Sequence, residues 1–431
     1  MAPRKRVITV ICDSLRRDFI GAERTPVLAD LAARSRYFTQ ARGVFPSTTR
    51  TSSASIATGC QPARHGLAGN CVILRDDDGL QCHNVGHPAF IDRLRAITGA
   101  TLKVPALAHH VRPVGGALLM SNVSAGAAYF HDPEGHGEVW HRAGSFGVGR
   151  IPLLPNPAAR WESGAAGDAA MTQAFCQRVE QDETLAAATL WLSNPDHSGH
   201  RSPLGSSEHL LGIAAAEVCV QAVMTLVERL RAAGEDVLFI VGSDHGMQTI
   251  IESIPVTRLL VEAGLKAGAD SRDVVIAPNG TAFTIGVSDA HAHRIAALVT
   301  WLGRQAWAGE IFAGAQLATI GLADHETCRI AVSMRADQRV NQAGIAGASF
   351  YVEDPDEPGD YVGRGQHGGL GTHEQSPFLM IAGTGFAAGV DDAPVSLVDI
   401  LPTILRHLAL PAGGLDGRPL QATAPMPMPM P

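Results

Sequence analysis

Three short apolar runs each lead into an aspartate, and this repetition constrains the chain more than any other feature in it. Val7–Cys12 is followed by Asp13. Ala188–Leu192 is followed, after Ser193-Asn194-Pro195, by Asp196, and Val237–Val241 is followed, after Gly242-Ser243, by Asp244. Runs that are apolar nearly throughout suit strands buried on both faces. Helical patterns lie between them, so the reading is an α/β fold: a mainly parallel central sheet flanked by helices. The carboxyl ends of parallel strands open onto a crevice where ligands bind. Three carboxylates crowded there repel one another by several kcal/mol at low effective dielectric. Bound cations remove that cost.

The rest of the chain supports this frame. Thr25 and Pro26 open a helix carrying Val27, Leu28 and Leu31 on one face. A long helix starts at Ser206 or Ser207 and stops at Gly234. Its core stripe is Leu210, Ile213, Val220, Val223, Leu226 and Leu230. Residues from about Asp76 to Ala170 are rich in Gly and His with weak periodicity, and read as a loop-rich insertion. Strand-like pieces at Thr281–Val287, Cys328–Met334 and Ala348–Val352 surround a helix pattern from Ala290 to Trp307. The expected organisation is a catalytic core over 1–270, a smaller inserted α+β cap over 271–362, the last part of the core over 363–424, and a disordered tail over 425–431. The acidic stretch Glu353-Asp354-Pro355-Asp356-Glu357-Pro358 is the exit linker of the cap.

Composition narrows the partners. The 431 residues carry 34 Lys+Arg against 42 Asp+Glu, a net charge of −8. That balance argues against gripping a nucleic-acid polymer or an anionic membrane, both of which need a basic field. No apolar run reaches the roughly 18–20 residues of a membrane span, and the apolar stretch after Arg4-Lys5-Arg6 is too short for a signal peptide. The seven cysteines are scattered without a C-x-x-C, which fits reduced thiols and a cytoplasmic location. The oligomeric state stays open.

Imidazoles stand beside two of the aspartates, in Asp196-His197-Ser198-Gly199-His200 and Ser243-Asp244-His245-Gly246. Carboxylate plus imidazole is the donor set of zinc and similar divalent ions, and six such donors serve two sites. His367, in Gly365-Gln366-His367-Gly368-Gly369, is a candidate for the remaining histidine, because flanking glycines let the backbone approach a metal. His373 is the rival. The candidate nucleophile is Thr49, in Phe45-Pro46-Ser47-Thr48-Thr49-Arg50-Thr51-Ser52, just before a small-residue helix that begins near Thr51 and stops at Gly59. A hydroxyl there sits beside unpaired N–H groups and the positive end of the helix dipole. Arg50 is placed to clamp a phosphate oxygen or a substrate carboxylate.

In this order, Asp13, the Thr49 segment ending Ile56-Ala57-Thr58-Gly59, Asp196-x-x-x-His200, Ser243-Asp244-His245-Gly246 and His367-Gly368-Gly369 resemble the alkaline phosphatase superfamily. The match is to its nucleotide pyrophosphatase/phosphodiesterase branch, with phosphonoacetate hydrolase a near relative. The resemblance extends to Gln61–Asn70, Asp399-Ile400-Leu401-Pro402-Thr403 and Leu415–Pro419. It implies two divalent metals, zinc by family habit. Asp196, His200 and His367 would hold one of them, Asp13, Asp244 and His245 the other, with Thr49 as a further ligand. It favours His367 over His373. It also implies attack by Thr49 on phosphorus, a phospho-threonine intermediate, and its hydrolysis from the opposite side. The substrate would be a small phosphorylated or phosphonate compound.

The sequence departs from the resemblance at Ser52, where an asparagine donor to a phosphoryl oxygen is expected. Ser52, Arg50 or Asn70 would then supply that bond, whose loss typically costs roughly 10²–10³ in rate. The alternative reading keeps the site but cleaves a carbon–phosphorus bond, with Arg50 or Lys103 holding a carboxylate. A phosphomonoesterase or sulfatase of the same superfamily and, last, a non-catalytic metal binder complete the alternatives. His109, His110, His131, His136 and His141 read as loop histidines, and His197 as a neighbour of the site.

Overall fold

The computed structural model describes residues 3–87, 89–355 and 359–422. Its centre is an eight-stranded mixed sheet. In spatial order the strands are Gly389–Asp391, Arg36–Phe38, Leu379–Ala382, Asp236–Gly242, Lys5–Cys12, Leu185–Leu192, Gly116–Ser121 and Glu138–Trp140. The last five run parallel, and Leu379–Ala382 is antiparallel to both of its neighbours. The alternation of side chains along Lys5–Cys12 splits the core in two. Ile8, Val10 and Cys12 meet the helices Pro26–Arg34, Ala165–Gln181 and Ser207–Ala232 on one face. Val7 and Ile11 meet the helices Thr49–Thr58, Leu107–Val111 and Ile400–His407 on the other. This is the α/β architecture expected of near-continuous apolar strands.

Register positions the site. Lys5–Cys12 pairs with Leu185–Leu192 so that Cys12 lies opposite Leu192, and with Asp236–Gly242 so that Ile11 lies opposite Gly242. The carboxyl ends of these three adjacent strands are therefore nearly level. The residues just beyond them are neighbours at the roughly 4.8 Å spacing of a sheet.

Several elements differ from expectation. The Asp76–Ala170 stretch supplies two strands of the central sheet, Gly116–Ser121 and Glu138–Trp140, besides its loops. Gly116-Ala-Leu-Leu-Met-Ser121 has no β-branched residue, so its strand is specified by pairing with Leu185–Leu192 and not by composition. The helix expected over Ala290–Trp307 is a 3-10 turn at Asp289–Arg294 followed by an α-helix at Ile295–Leu302, and the chain enters a strand at Ala308. Val274–Pro278, Ala282–Val287, Ile330–Met334 and Ala308–Ala313 form a separate four-stranded sheet. Ala346–Val352 pairs instead with Gln248–Ile254.

Leu210 is exposed, at the edge of the buried stripe it was expected to join. Its helix, Ser207–Ala232, reaches the length and apolar character of a membrane span, contrary to the reading of the sequence, but 56% of the apolar window is buried inside the fold. The tail 425–431 and Asp356-Glu357-Pro358 of the acidic linker lie outside the described residues.

Candidate active site and metal centre

Asp13, Asp196 and Asp244 converge at the level strand ends. The backbone N–H of Asp196 donates to the Asp13 carbonyl at 3.1 Å. His245 Nε2 lies 3.0 Å from Asp244 Oδ2 and 3.7 Å from Asp13 Oδ1. Asp196 Oδ1 lies 3.1 Å from His200 Nε2 and 3.4 Å from His367 Nε2. Two groups of ligand atoms result: Asp13, Asp244 and His245, and Asp196, His245 and His367, with the atoms of each within 4.8 Å of one another. His245 belongs to both, and its ring stacks on that of His367 at 3.8 Å between centroids.

The imidazoles are oriented for metal binding. His200 Nδ1 donates to the Gly365 carbonyl at 3.0 Å, and His367 Nδ1 to the Ser47 carbonyl at 2.8 Å. His245 Nδ1 faces the Gly246 carbonyl at 3.2 Å and Ser14 Oγ at 2.9 Å. A proton held on Nδ1 leaves the Nε2 lone pair free toward the carboxylates, the arrangement metal-binding histidines use.

The electrostatics report the crowding. Burial, and then the charges of Asp244 and Asp196, push the Asp13 carboxyl well above the usual carboxylate range. Burial pushes Asp196 the same way, but His200 and His367 outweigh it and hold Asp196 well below. Burial and then the neighbouring His245 lower His367 to about 4. Asp13 Oδ1 and Asp244 Oδ2 are buried and have no hydrogen-bond partner among the described residues. Unpartnered buried carboxylate oxygens are costly, and an N/O donor set of this kind fits divalent cations.

Thr49 stands over this cluster, its Oγ1 3.2 Å from His245 Nε2. The helix begins two residues earlier than expected: Thr48 is its N-cap and Thr49 its first residue, so Thr49 lies in its first turn and not before it, and Gly59 ends it in the left-handed region at φ 62°. The Thr48 side chain makes no capping bond to the first turn, so the N–H groups there remain available to an anion.

The candidate substrate contacts separate. Ser52 is fully buried and its hydroxyl donates to the Asp244 carbonyl at 3.4 Å. Arg50 Nη1 donates to the Asn70 carbonyl at 2.8 Å and Asn84 Oδ1 at 3.0 Å, which ties it to the neighbouring chain segments. Asn70 Oδ1 is buried without a hydrogen-bond partner among the described residues, and Asn70 shares a cavity of about 210 Å³ with Arg50, His200 and His367. Lys103 lies over Gly66 in a different cavity, of about 350 Å³. His373 is bonded to Arg16 and Gln338, away from the cluster. His141 Nε2 donates to the Val123 carbonyl, and His109 pairs with His136 at 3.3 Å.

Residues 7–368 match the family described as type I phosphodiesterase / nucleotide pyrophosphatase. The chain belongs to that family. No curated protein matches it by sequence. Its fold is similar to murine ectonucleotide pyrophosphatase/phosphodiesterase 5, solved as an inactive variant in complex with AMP. That likeness has a TM-score of 0.69 at 16% identity, covering 96% of this chain and 97% of that one. It is also similar to phosphonoacetate hydrolase from Sinorhizobium meliloti 1021 in complex with phosphonoacetate, with a TM-score of 0.66 at 16% identity, covering 94% and 96%. The chain is therefore a phosphodiesterase/pyrophosphatase-like hydrolase of a metal-dependent family on an alkaline phosphatase-like fold.

Four positioning residues of this phosphodiesterase-family site escaped the sequence reading. Ser14, in the left-handed region at φ 62°, donates its hydroxyl to Asp196 Oδ1 at 2.8 Å and its N–H to Asp244 Oδ1 at 3.2 Å. Trp191 Nε1 donates to Asp13 Oδ2 at 3.0 Å. Asp168, fully buried, accepts five hydrogen bonds from Asn122, Ser193 and Asn194, and so braces the loop before Asp196. Glu374 accepts from the N–H groups of Gly369 and Gly371 and from Thr281, and holds the loop after His367. Burial raises Glu374 to about 7 against those donors. Only Ser14 carried a sequence signal, its place directly after a candidate ligand.

Proposed function

We propose that this chain hydrolyses phosphodiester or pyrophosphate bonds of a small substrate, with Thr49 as nucleophile and a pair of divalent cations, best matched by zinc. One observation carries the reading: Thr49 Oγ1 lies 3.2 Å from Nε2 of His245, the residue that belongs to both groups of converging carboxylates and imidazoles. Asp196, His200 and His367 would hold one ion, and Asp13, Asp244 and His245 the other. The chemistry such a pair supplies is a lowered hydroxyl pKa and Lewis-acid stabilisation of the leaving oxygen.

Thr49 Oγ1 forms the new bond to phosphorus while the bond to the leaving oxygen breaks on the opposite side. The product is phospho-threonine plus the released alcohol or phosphate, and water then frees the phosphoryl group. The first-turn N–H groups of the Thr49 helix face the phosphoryl oxygens. Asn70 lines the same cavity as His200 and His367, and its side-chain Nδ2–H would supply the hydrogen bond to a phosphoryl oxygen. Ser52 and Arg50 serve the site by holding Asp244 and Asn70 in place.

The test is zinc-reconstituted protein acting on bis(p-nitrophenyl) phosphate, p-nitrophenyl phosphate and phosphonoacetate. Diester turnover above monoester turnover is expected, and Thr49→Ala should lose roughly 10³-fold or more while keeping its metal. Silence on both esters with zinc bound would overturn the reading, and phosphate release from phosphonoacetate alone would replace it with carbon–phosphorus cleavage.

A further inference from the structure

Ser47 stands two residues before Thr49 and is fully buried. Each of its polar groups is bonded to one short segment, His367-Gly368-Gly369. Its N–H donates to the Gly368 carbonyl at 2.9 Å, and its carbonyl accepts from His367 Nδ1 at 2.8 Å. Its Oγ donates to the Gly369 carbonyl at 2.9 Å and accepts from the Gly368 N–H at 3.1 Å. Four bonds thus join one serine to three consecutive residues about 320 positions later in the chain.

The far side of that segment is fixed as well. The Gly369 N–H donates to Thr281 Oγ1 and Glu374 Oε2, each at 2.9 Å, and Gln375 Nε2 donates to the Gly369 carbonyl at 2.9 Å. The Thr281 N–H donates to the His367 carbonyl at 3.1 Å. Gly368 has φ 135°, and a Cβ there would stand 1.7 Å from the Asn279 carbonyl oxygen, so only glycine fits. Ser47 is therefore tied to a segment that cannot drift. The contacts then close into a ring. The Ser47 carbonyl holds His367, the His367 ring stacks on His245 at 3.8 Å, and His245 Nε2 lies 3.2 Å from Thr49 Oγ1. The backbone from Thr49 leads back to Ser47.

We propose that Ser47 is a positioning residue of this site: it fixes the separation of Thr49 and His367, so that the attacking oxygen and the ion His367 would hold keep one alignment. The Thr49 half of this inference rests on the phosphodiesterase reading above. Groups that orient a ligating histidine are typically worth about 10–100-fold in metal affinity or activity, and a misplacement of about 1 Å between reacting groups can cost about 10²-fold in rate.

Ser47→Ala keeps both backbone bonds and removes the partner of the buried Gly368 N–H. Its kcat on bis(p-nitrophenyl) phosphate should fall roughly 10–100-fold with KM within about threefold, and calorimetric titration of the metal-free protein should show zinc affinity lower by roughly tenfold. Ser47→Cys fills the same space but bonds weakly, so it should show the same losses with a smaller change in Tm. Ser55→Ala is the control for simple destabilisation: Ser55 is fully buried in the Thr49 helix and its Oγ lies 2.9 Å from His65 Nε2. That variant should lower Tm while holding kcat and zinc affinity within about twofold of wild type. Wild-type kcat and zinc affinity in either Ser47 variant overturn the proposal, as do equal losses in Ser55→Ala. A wild type that binds zinc but turns over no ester overturns the phosphodiesterase reading and the Thr49 half of this one. The titration then still decides whether Ser47 orients His367, and an unchanged affinity overturns that half too.

Discussion

At the scale of single residues, Ser14 ties the candidate ligands together. Its hydroxyl touches both Asp196 and His245, one from each end of the cluster, and its backbone N–H holds Asp244. A non-glycine residue at φ 62° costs roughly 1–2 kcal/mol, which the fold sustains in return for this placement. Ser14→Ala keeps the backbone cost and loses the side-chain bonds, so metal affinity should fall by about 10–100-fold, as for other groups that orient ligands. Ser14→Gly loses the same bonds but relieves the backbone, so it should match Ser14→Ala in metal affinity and exceed it in Tm. Metal titration and thermal melts of the two variants separate these effects. Equal metal affinity in wild type and Ser14→Ala would show that Ser14 orients nothing.

At the scale of elements, the site hangs on how two helices meet. Asp196 and His200 lie on the short helix Asp196–Arg201, which packs against Ser207–Ala232 at Gly212. A Cβ on Gly212 would stand 2.2 Å from Ser198 Oγ and 2.9 Å from Asn194 Oδ1. Gly→Ala inside a helix ordinarily stabilises by up to about 1 kcal/mol. Here the sign should reverse: Gly212→Ala should lower Tm and, by displacing Asp196 and His200, lower metal occupancy and turnover together. Unchanged turnover with a raised Tm would contradict this. The sequence predicted the long helix and its Gly234 stop, because capping and period are local signals. It did not indicate that Gly212 marks a helix–helix contact, since the partner atoms lie outside that helix.

At the scale of the molecule, histidine burial sets the response to acid. Away from the candidate metal cluster, burial lowers His65 to about 3 and His131, His141 and His209 to about 4. Each is neutral in the folded state and takes up a proton on unfolding below about pH 6.5. Their contribution to stability is therefore complete above that pH and declines as the pH falls toward 4. Each group accounts for up to about 1.4 kcal/mol per pH unit in that window. The denaturant midpoint should fall steeply between about pH 6.5 and 4.5, and His209→Asn should reduce the slope by nearly one proton. A midpoint flat across that window would contradict the assignment of these histidines as buried and neutral.

What the sequence determined by itself is whatever short-range pattern encodes. The apolar runs fix the central strands, since burial on both faces demands them, and the residues just past their ends fix Asp13, Asp196 and Asp244 as neighbours. Asp244-His245 and Asp196-x-x-x-His200 were legible for the same reason, whereas the helix expected to begin near Thr51 begins at Thr49. His367 was the better candidate for its flanking glycines, and resemblance favoured it over His373, which spacing alone did not exclude. Tertiary structure alone decided that His367 turns inward while His373 meets Arg16. It also decided that Ser52 faces the Asp244 backbone, that Asn70 Oδ1 is left without a partner among the described residues, and that Asp168, Trp191 and Glu374 brace the candidate ligands. Each of these depends on contacts between segments tens to hundreds of residues apart, and no local periodicity carries such a contact.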